Sequence, residues 1–343
     1  MTRDSDDILR ISGLTVEFGS GRKRVPVIRE LDLSVGRGEI LAIVGESGCG
    51  KSMTGLSIMR LVPDPPGVVA AGRILFGGGD LLGLSESAMQ DIRGEEIAMV
   101  FQEPMTALNP VFSVGQQITE TIRRHKNVSR QEARRQAIEL LREVGISEPE
   151  RRVDQFPHEL SGGMRQRVVL AIANSCRPRL IIADEPTTAL DVTVQAQILE
   201  LLLETRRAHG TTIVLISHDI GVVAEVADRV AVMYAGRLAE LGPVDEILER
   251  PRHPYTIGLL NAVVSIEREN DGDRDFRAEP LTEIPGTVPD LATLRQGCAF
   301  ASRCPQVVER CRRETPSLPG TGAHQVACWV AGAKPEEPGE ECA

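Results

Sequence analysis

Residues 45–52 read Gly45-Glu46-Ser47-Gly48-Cys49-Gly50-Lys51-Ser52, the pattern G-x-x-x-x-G-K-[ST]. The glycines let the backbone curl so that its N–H groups turn inward toward phosphate oxygens. A helix beginning near Gly50 adds its positive N-terminal end. Lys51 reaches the β- and γ-phosphates of a bound nucleotide, and the Ser52 hydroxyl can ligate Mg²⁺. A second chemical group closes the apolar run RLIIAD. Asp184, at the end of a buried strand beside a phosphate loop, can hold Mg²⁺ directly or through water. Glu185 follows it and is placed to polarise an attacking water. The expected ligands and cofactor are therefore ATP and Mg²⁺, and the expected chemistry is phosphoryl transfer to water.

A third segment, Leu160-Ser161-Gly162-Gly163-Met164-Arg165-Gln166, makes another anion site. Ser161 reads as an N-cap, and Gly162 and Gly163 expose the first amides of the following helix. One nucleotide does not need two such sites from one chain, but two chains facing head to tail would each complete the other's.

These groups need elements to hold them. Residues 8–18 and 27–35 alternate apolar and polar residues and predict strands, separated by the polar stretch GSGRKRVP. The continuous apolar runs at 40–44, 179–184 and 211–217 predict buried strands, and 72–100 reads as short strands and turns ending in the apolar run 97–100. Helical spacing is predicted after the phosphate loop to about Leu61, through 113–156, over 161–176 and over 192–208. Strand, glycine loop and helix followed by more strands and helices give an α/β core with a mainly parallel sheet. The polar helices inserted between about 105 and 165 predict a separate helical lobe. Residues 265–280 are highly charged and read as a linker, and the tail from 281 to 331 is rich in Pro, Gly and Cys with little periodicity. There is no internal repeat.

The bulk numbers exclude some functions. The net charge is -10 and the pI about 5.3, which disfavours a nucleic-acid binder working through a broad basic face. No apolar run is long enough to span a bilayer, and the acidic start MTRDSDDILR is no signal peptide, so a cytoplasmic location is expected. Aromatics make up only 3% of the chain, which leaves the core to Leu, Ile, Val and Ala.

With the three motifs in this order, the sequence resembles the ATP-binding-cassette (ABC) ATPases, whose signature is LSGGQ; here Met164 stands in place of the glutamine. The resemblance covers residues 8–250. It implies a P-loop ABC ATPase core with an antiparallel β subdomain and a helical subdomain. It also implies roles for further residues. Gln102, in MVFQEP, resembles the glutamine that touches Mg²⁺, senses the γ-phosphate and faces the membrane partner. Thr188-Ala189-Leu190-Asp191 resembles the segment that crosses the dimer interface, with Asp191 its acidic member. His218, in VLISHD, resembles the switch histidine on the γ-phosphate. Phe18 resembles the aromatic that stacks on adenine, though an ordinary strand core residue would read the same way.

Two features narrow the resemblance. His253-Pro254-Tyr255-Thr256 followed by IGLLNAV, and the tail running from Gly297-Cys298 through Arg303-Cys304-Pro305 and Cys311 to His324 and Cys328, resemble the C-terminal extension of dipeptide and oligopeptide importers. This divides the chain into a nucleotide-binding domain at 1–250 and an extension at 251–343. Nickel and glutathione importers of the same subfamily are alternatives; a soluble ABC ATPase acting on ribosomes or DNA is the rival of another class. The resemblance implies a non-identical ATPase partner, two membrane permeases and an extracytoplasmic binding protein, with this chain on the cytoplasmic face of the inner membrane.

Cys298, Cys304, Cys311 and Cys328 are spaced C-x5-C-x6-C-x16-C. Four thiolates in a cytosolic chain suit a soft metal centre, and the spacing is not the paired C-x2-C of a zinc ribbon. A [4Fe–4S] cluster, zinc and free structural thiols all remain open on spacing; the resemblance implies the cluster, which some members of the subfamily carry. Of the remaining cysteines, Cys49 fills a variable loop position, although a helix start is a place that lowers a thiol's pKa; Cys176 is expected to pack in the core, and Cys342 to lie in a frayed terminus.

Overall fold

A computed structural model describes residues 7–21, 23–102, 107–188, 190–268, 284–294, 296–318 and 322–331. Most of the predicted linker, Ala189 and Cys342 lie outside these residues. The first six strands in chain order are β1 (Asp7–Phe18), β2 (Val25–Gly36), β3 (Ile40–Val44), β4 (Gly67–Phe76), β5 (Gly79–Asp80) and β6 (Ile97–Val100). They are followed by β7 (Leu180–Asp184), β8 (Thr212–Ile216), β9 (Arg229–Tyr234), β10 (Arg237–Pro243) and β11 (Gln325–Val326). Among the described residues they form a four-stranded sheet in the order β2-β1-β4-β5 and a seven-stranded sheet in the order β11-β10-β9-β3-β8-β7-β6.

The smaller sheet is antiparallel throughout. In the larger one, β9, β3, β8, β7 and β6 run parallel, and the β9–β10–β11 edge is antiparallel. Every residue of β3, β7 and β8 is buried. Successive residues face opposite layers, as the period of a strand requires. Leu180 and Ile182 pack with Leu9, Ile11, Leu14 and Val16 of the antiparallel sheet. Ile181 and Ala183 pack instead with Ile118, Ala137, Leu141 and Val168 of the helices on the other side. This two-sided cover explains why these strands read as unbroken apolar runs.

The helical stretch predicted at 113–156 is divided into Val114–His125, Arg130–Glu143 and Pro149–Arg152. Ser113 and Gln116 form a reciprocal capping box on the first of these, and Ser129 caps the second.

The sequence reading missed the β9–β10 hairpin. Its signal was present: Ala235-Gly236 separates two apolar runs, and both residues have positive φ, as a tight hairpin turn demands. The tail is also more ordered than its poor periodicity suggests. β11 pairs with β10 and closes that edge of the main sheet.

Glu240, fully buried on β10, organises this region. Its carboxylate accepts the backbone N–H groups of Arg252 (2.7 Å) and His253 (3.0 Å) and lies 2.6 Å from His324 Nε2. His324 is thus a structural partner of Glu240. His253 is buried beside it, and its Nδ1 accepts the Tyr255 N–H at 3.0 Å. Burial holds the His253 pKa down from 6.5 to about 4, against the opposing pull of Glu240 and a backbone hydrogen bond with Ala327.

Above pH 6.5 the ring is neutral in both folded and unfolded chains. Between pH 6.5 and about 4 the unfolded chain takes up a proton that the folded chain refuses, so His253's contribution to stability is lost as pH falls through that window. Urea unfolding of wild type and His253→Gln from neutral to acid pH should show a shallower decline in the variant. The difference should reach about 3 kcal/mol at the acid end of the window. Parallel declines would mean that His253 does not control this slope.

Candidate active site

β3 ends at Val44 and the helix Lys51–Ile58 begins seven residues on, so residues 45–50 form the turn between them. Gly45, Gly48 and Gly50 have φ of +148°, +78° and +106°, backbone states that side chains resist. At Gly45 the constraint is doubled, because a Cβ there would fall on the Met233 carbonyl oxygen of β9. The Lys51 ammonium is buried and donates to the carbonyls of Gly45 (2.7 Å) and Glu46 (3.2 Å). Ser52 Oγ donates to Asp184 Oδ1 at 3.0 Å, joining the end of β7 to the first turn of the helix.

Glu185, next to Asp184, has φ +46°. That bend turns its carboxylate into a focus for three polar side chains. Gln102 Nε2 (2.8 Å) and Thr188 Oγ1 (2.9 Å) donate to Glu185 Oε2, and His218 Nδ1 lies 3.2 Å from the same oxygen. Gln102 follows β6, Glu185 follows β7 and His218 follows β8, so the C-terminal ends of three neighbouring parallel strands supply this cluster. Burial pushes the Asp184 carboxyl above its usual range, despite the Ser52 hydrogen bond. A buried carboxylate whose desolvation outweighs the help of Ser52 and Lys51, with a hydroxyl beside it, offers the hard oxygen donors and negative charge that a divalent cation satisfies. These residues fit Mg²⁺.

Other expected residues stand apart from this cluster. Ser161 Oγ caps the helix Gly162–Asn174 by accepting the Met164 N–H at 3.4 Å. That helix packs against Val114–His125, Arg130–Glu143 and β6, and among the described residues no hydrogen bond of Ser161, Gly162 or Gly163 reaches residues 45–52. Asp191 caps the helix Val192–His209 through the Val194 N–H at 2.9 Å. The two helix starts are neighbours: a Cβ on Gly163 would lie 2.9 Å from Val194 Cγ1. Beside them Val192 is 82% exposed. Phe18, partly buried, ends β1 opposite Gly67 and packs against the core of the antiparallel sheet.

The cysteines depart from expectation. Cys49 is buried, and burial raises its pKa, outweighing the nearby Lys51 charge. The expected lowering is therefore corrected. Cys176 is half-buried and not a full core residue. Cys298, Cys304, Cys311 and Cys328 are free thiols. Burial pushes Cys298 up to about 11, and the other three thiols add to the rise, so the four lie close enough to affect one another. Even so, among the described residues no three His, Cys, Asp or Glu side chains are grouped to hold one ion. The structure as it stands does not support the [4Fe–4S] expectation.

Sequence reasoning also missed two residues at the phosphate loop. Tyr255 Oη accepts the Glu46 N–H, and Arg303 pairs with the Glu46 carboxylate. No spacing rule connects positions so far apart in the chain.

A family model described as ABC transporter matches residues 28–188, and one described as oligopeptide/dipeptide transporter, C-terminal region, matches 239–311. The oligopeptide transport ATP-binding protein OppD of Bacillus subtilis is 51% identical over 324 residues, 94% of this chain and 88% of the relative. The dipeptide transport ATP-binding protein DppD of the same organism is 48% identical over 332 residues, 96% of this chain and 97% of the relative. The chain belongs to the oligopeptide/dipeptide group of ABC transporter ATP-binding proteins. Its fold is that of the P-loop ABC ATPases. The ATP-binding cassette MJ0796, solved as a dimer with ADP and Pi, has a TM-score of 0.62 at 27% identity, covering 69% of this chain and 98% of that one. The cbiO1 protein of Clostridium perfringens, part of an ABC transporter complex, scores 0.61 at 28% identity, covering 77% of this chain and 99% of that one. As an ABC ATP-binding protein, this chain has ATP and Mg²⁺ as its implied ligands.

The cramped geometry at Gly45 gives a direct comparison. Gly45→Ala should lower folding stability by about 1–3 kcal/mol, from the collision with Met233 added to backbone strain. Gly48→Ala, where a Cβ meets nothing within 4 Å, should cost less. Calorimetric unfolding of both variants tests this; equal losses would show that the contact with β9 does not matter.

Proposed function

We propose that this chain is the ATP-hydrolysing subunit of a membrane importer for di- or oligopeptides. The observation that carries the reading is the convergence of Gln102, Thr188 and His218 on one oxygen of Glu185, beside the Ser52–Asp184 pair. The peptide-transporter relatives and the matching C-terminal region support the cargo class.

In this reading residues 45–50 cradle the β- and γ-phosphates, Lys51 neutralises their charge, and Phe18 borders the base. Ser52, Asp184 and Gln102 hold Mg²⁺, which when bound offsets the charge that builds on the transferring phosphoryl group. Glu185 orients and polarises the attacking water, and its three partners keep its carboxylate aimed. His218 contacts the γ-phosphate. Ser161, Gly162 and Gly163 serve the nucleotide of a facing subunit, and Asp191 lies along that interface. The exposed helix start at Ser161 and the exposed Val192 beside it suit a surface covered by a second ATPase chain. The partner is a paralogue, giving a heterodimer.

Val111 (70% exposed) and Phe112 (45%) follow Gln102 at the entrance to the helical lobe and offer an apolar contact to a permease. Two separate permease subunits and an extracytoplasmic binding protein complete the importer, as the peptide-transporter relatives suggest; among the described residues no helix is long and apolar enough to cross a membrane. The chain then sits on the cytoplasmic face of the inner membrane. We divide it into a nucleotide-binding domain at 1–250, with a helical part at about 105–165, and an extension at 251–343. In the extension, Cys298, Cys304, Cys311 and Cys328 are the residues that would hold a [4Fe–4S] cluster, although in this structure they are not grouped around one ion. The donor chemistry supports this, since four cysteine sulfurs are the soft ligands that such a cluster takes.

Purification from gently solubilised membranes should recover two multi-spanning permeases and a second ATPase; recovery with ribosomes would sink the importer reading. Glu185→Gln should retain ATP binding and lose about 10²-fold or more in hydrolysis rate. Unchanged hydrolysis would remove Glu185 from its role. Anaerobically purified protein should contain iron and acid-labile sulfide, and their absence would leave the four cysteines as structural thiols.

A further inference from the structure

The phosphate loop is gripped from outside the ATPase core. The peptide unit joining Gly45 to Glu46 is fixed at both ends: its N–H donates to Tyr255 Oη at 2.8 Å, and its carbonyl accepts Lys51 Nζ at 2.7 Å. Rotation of that one peptide would move the acceptor that positions the lysine. Tyr255 is itself fully buried, and burial pushes its phenol far above the usual tyrosine range, so the hydroxyl stays uncharged. The Glu46 side chain is gripped separately. Arg303 Nη1 and Nη2 meet its two carboxylate oxygens at 2.8 and 3.0 Å, a two-pronged pairing that fixes orientation as well as charge.

Arg303 is held in turn. Its Nε donates to the Pro285 carbonyl (2.9 Å), its Nη2 to that of Ile284 (3.2 Å) and its Nη1 to Tyr234 Oη (3.3 Å), while its guanidinium lies 5.9 Å from the centroids of both the Tyr234 and Phe300 rings. Phe300 and Arg303 belong to the tail turn between Cys298 and Cys304, and Tyr255 begins the helix Pro254–Arg268. Both grips therefore come from the region after residue 250. The Arg303 charge also has an electrostatic consequence. An unpaired Glu46 carboxylate at the lip of a phosphate cradle would repel a polyanionic nucleotide; the Arg303 guanidinium cancels that charge.

We propose that Tyr255 and Arg303 are positioning residues for the ATP site: acting through Glu46, they set the shape and charge of the phosphate loop and so its affinity for nucleotide. The proposal rests on the reading of residues 45–52 as the ATP cradle.

The test measures equilibrium binding of a fluorescent ATP analogue with Mg²⁺ to the full-length chain, alongside thermal unfolding. Tyr255→Phe removes only the hydroxyl and should raise Kd about threefold to tenfold, the worth of one hydrogen bond. Arg303→Ala should raise Kd about tenfold or more, with the loss shrinking at high salt. Arg303→Ala combined with Glu46→Gln should recover most of that loss, since the unpaired charge is gone; a purely structural role would give no such rescue. Arg29→Ala is the control. Arg29 Nη2 and Nη1 donate to the carbonyls of Leu291 (2.7 Å) and Leu294 (3.3 Å), tying the tail to β2 through bonds that do not involve Glu46, so its loss should lower the melting temperature and leave Kd unchanged. If Arg303→Ala does not fold, Arg303→Lys, which keeps the charge and loses the fork, should give a Kd between wild type and Tyr255→Phe-like weakening. Folded Tyr255 and Arg303 variants with wild-type Kd would overturn this proposal alone. Wild-type chain that binds no ATP would overturn the reading of the cradle, and this proposal with it.

Discussion

β3, β7 and β8 are covered on both faces, by the antiparallel sheet on one side and by helices on the other. Their side chains must be apolar along the whole length, because an unpaired polar group in that position would lose its water without replacement. Polar chemistry is then confined to the points where the strands emerge. In a parallel sheet those points lie side by side at one edge. The phosphate loop follows β3, Asp184 and Glu185 end β7, His218 follows β8 and Gln102 follows β6. The site is assembled by the sheet's direction, and residues spread over more than half of the chain meet because their strands are neighbours.

Within that frame two carboxylates have opposite surroundings. Asp184 is buried, and the loss of water outweighs the Ser52 hydrogen bond and the Lys51 charge that favour its ionised form, so it is suited to a cation. Glu185 is bent outward by a positive φ and surrounded by three polar partners, so it is suited to orientation. Adjacent residues thereby meet different surroundings after a single change in backbone direction.

The chain after residue 250 is bound to the strands before it by polar groups that are buried with their partners. Glu240 gathers the backbone of Arg252 and His253 and the ring of His324, and Arg303 reaches Glu46. Removing one partner from either set would leave a buried charge unmatched, a larger cost than the pair's net contribution to stability. The aromatic contacts of Tyr234, Tyr255 and Phe300, with centroids 4.6 to 5.5 Å apart, seal the same interface. In a chain with so few aromatic residues, their concentration there marks the seam.

The sequence alone determined what local rules govern. The strand–loop–helix around residues 45–52 and the cap at Ser161 follow from contacts within a few residues. The burial of strands such as 40–44 and 179–184 was legible as well, because an unbroken apolar run reports cover on both faces. The resemblance of ordered motifs added Gln102, Asp191 and His218, which no local rule would have singled out. What only the tertiary structure decided depends on distant pairing. Burial overrode the helix-start effect at Cys49; β11 joined the main sheet from a tail without periodicity; and Glu46, an unconstrained position in the loop pattern, became the anchor for Tyr255 and Arg303. Hydrogen bonds and ion pairs between residues more than two hundred positions apart leave no periodic trace, because they depend on where the chain has been brought and not on what adjoins them.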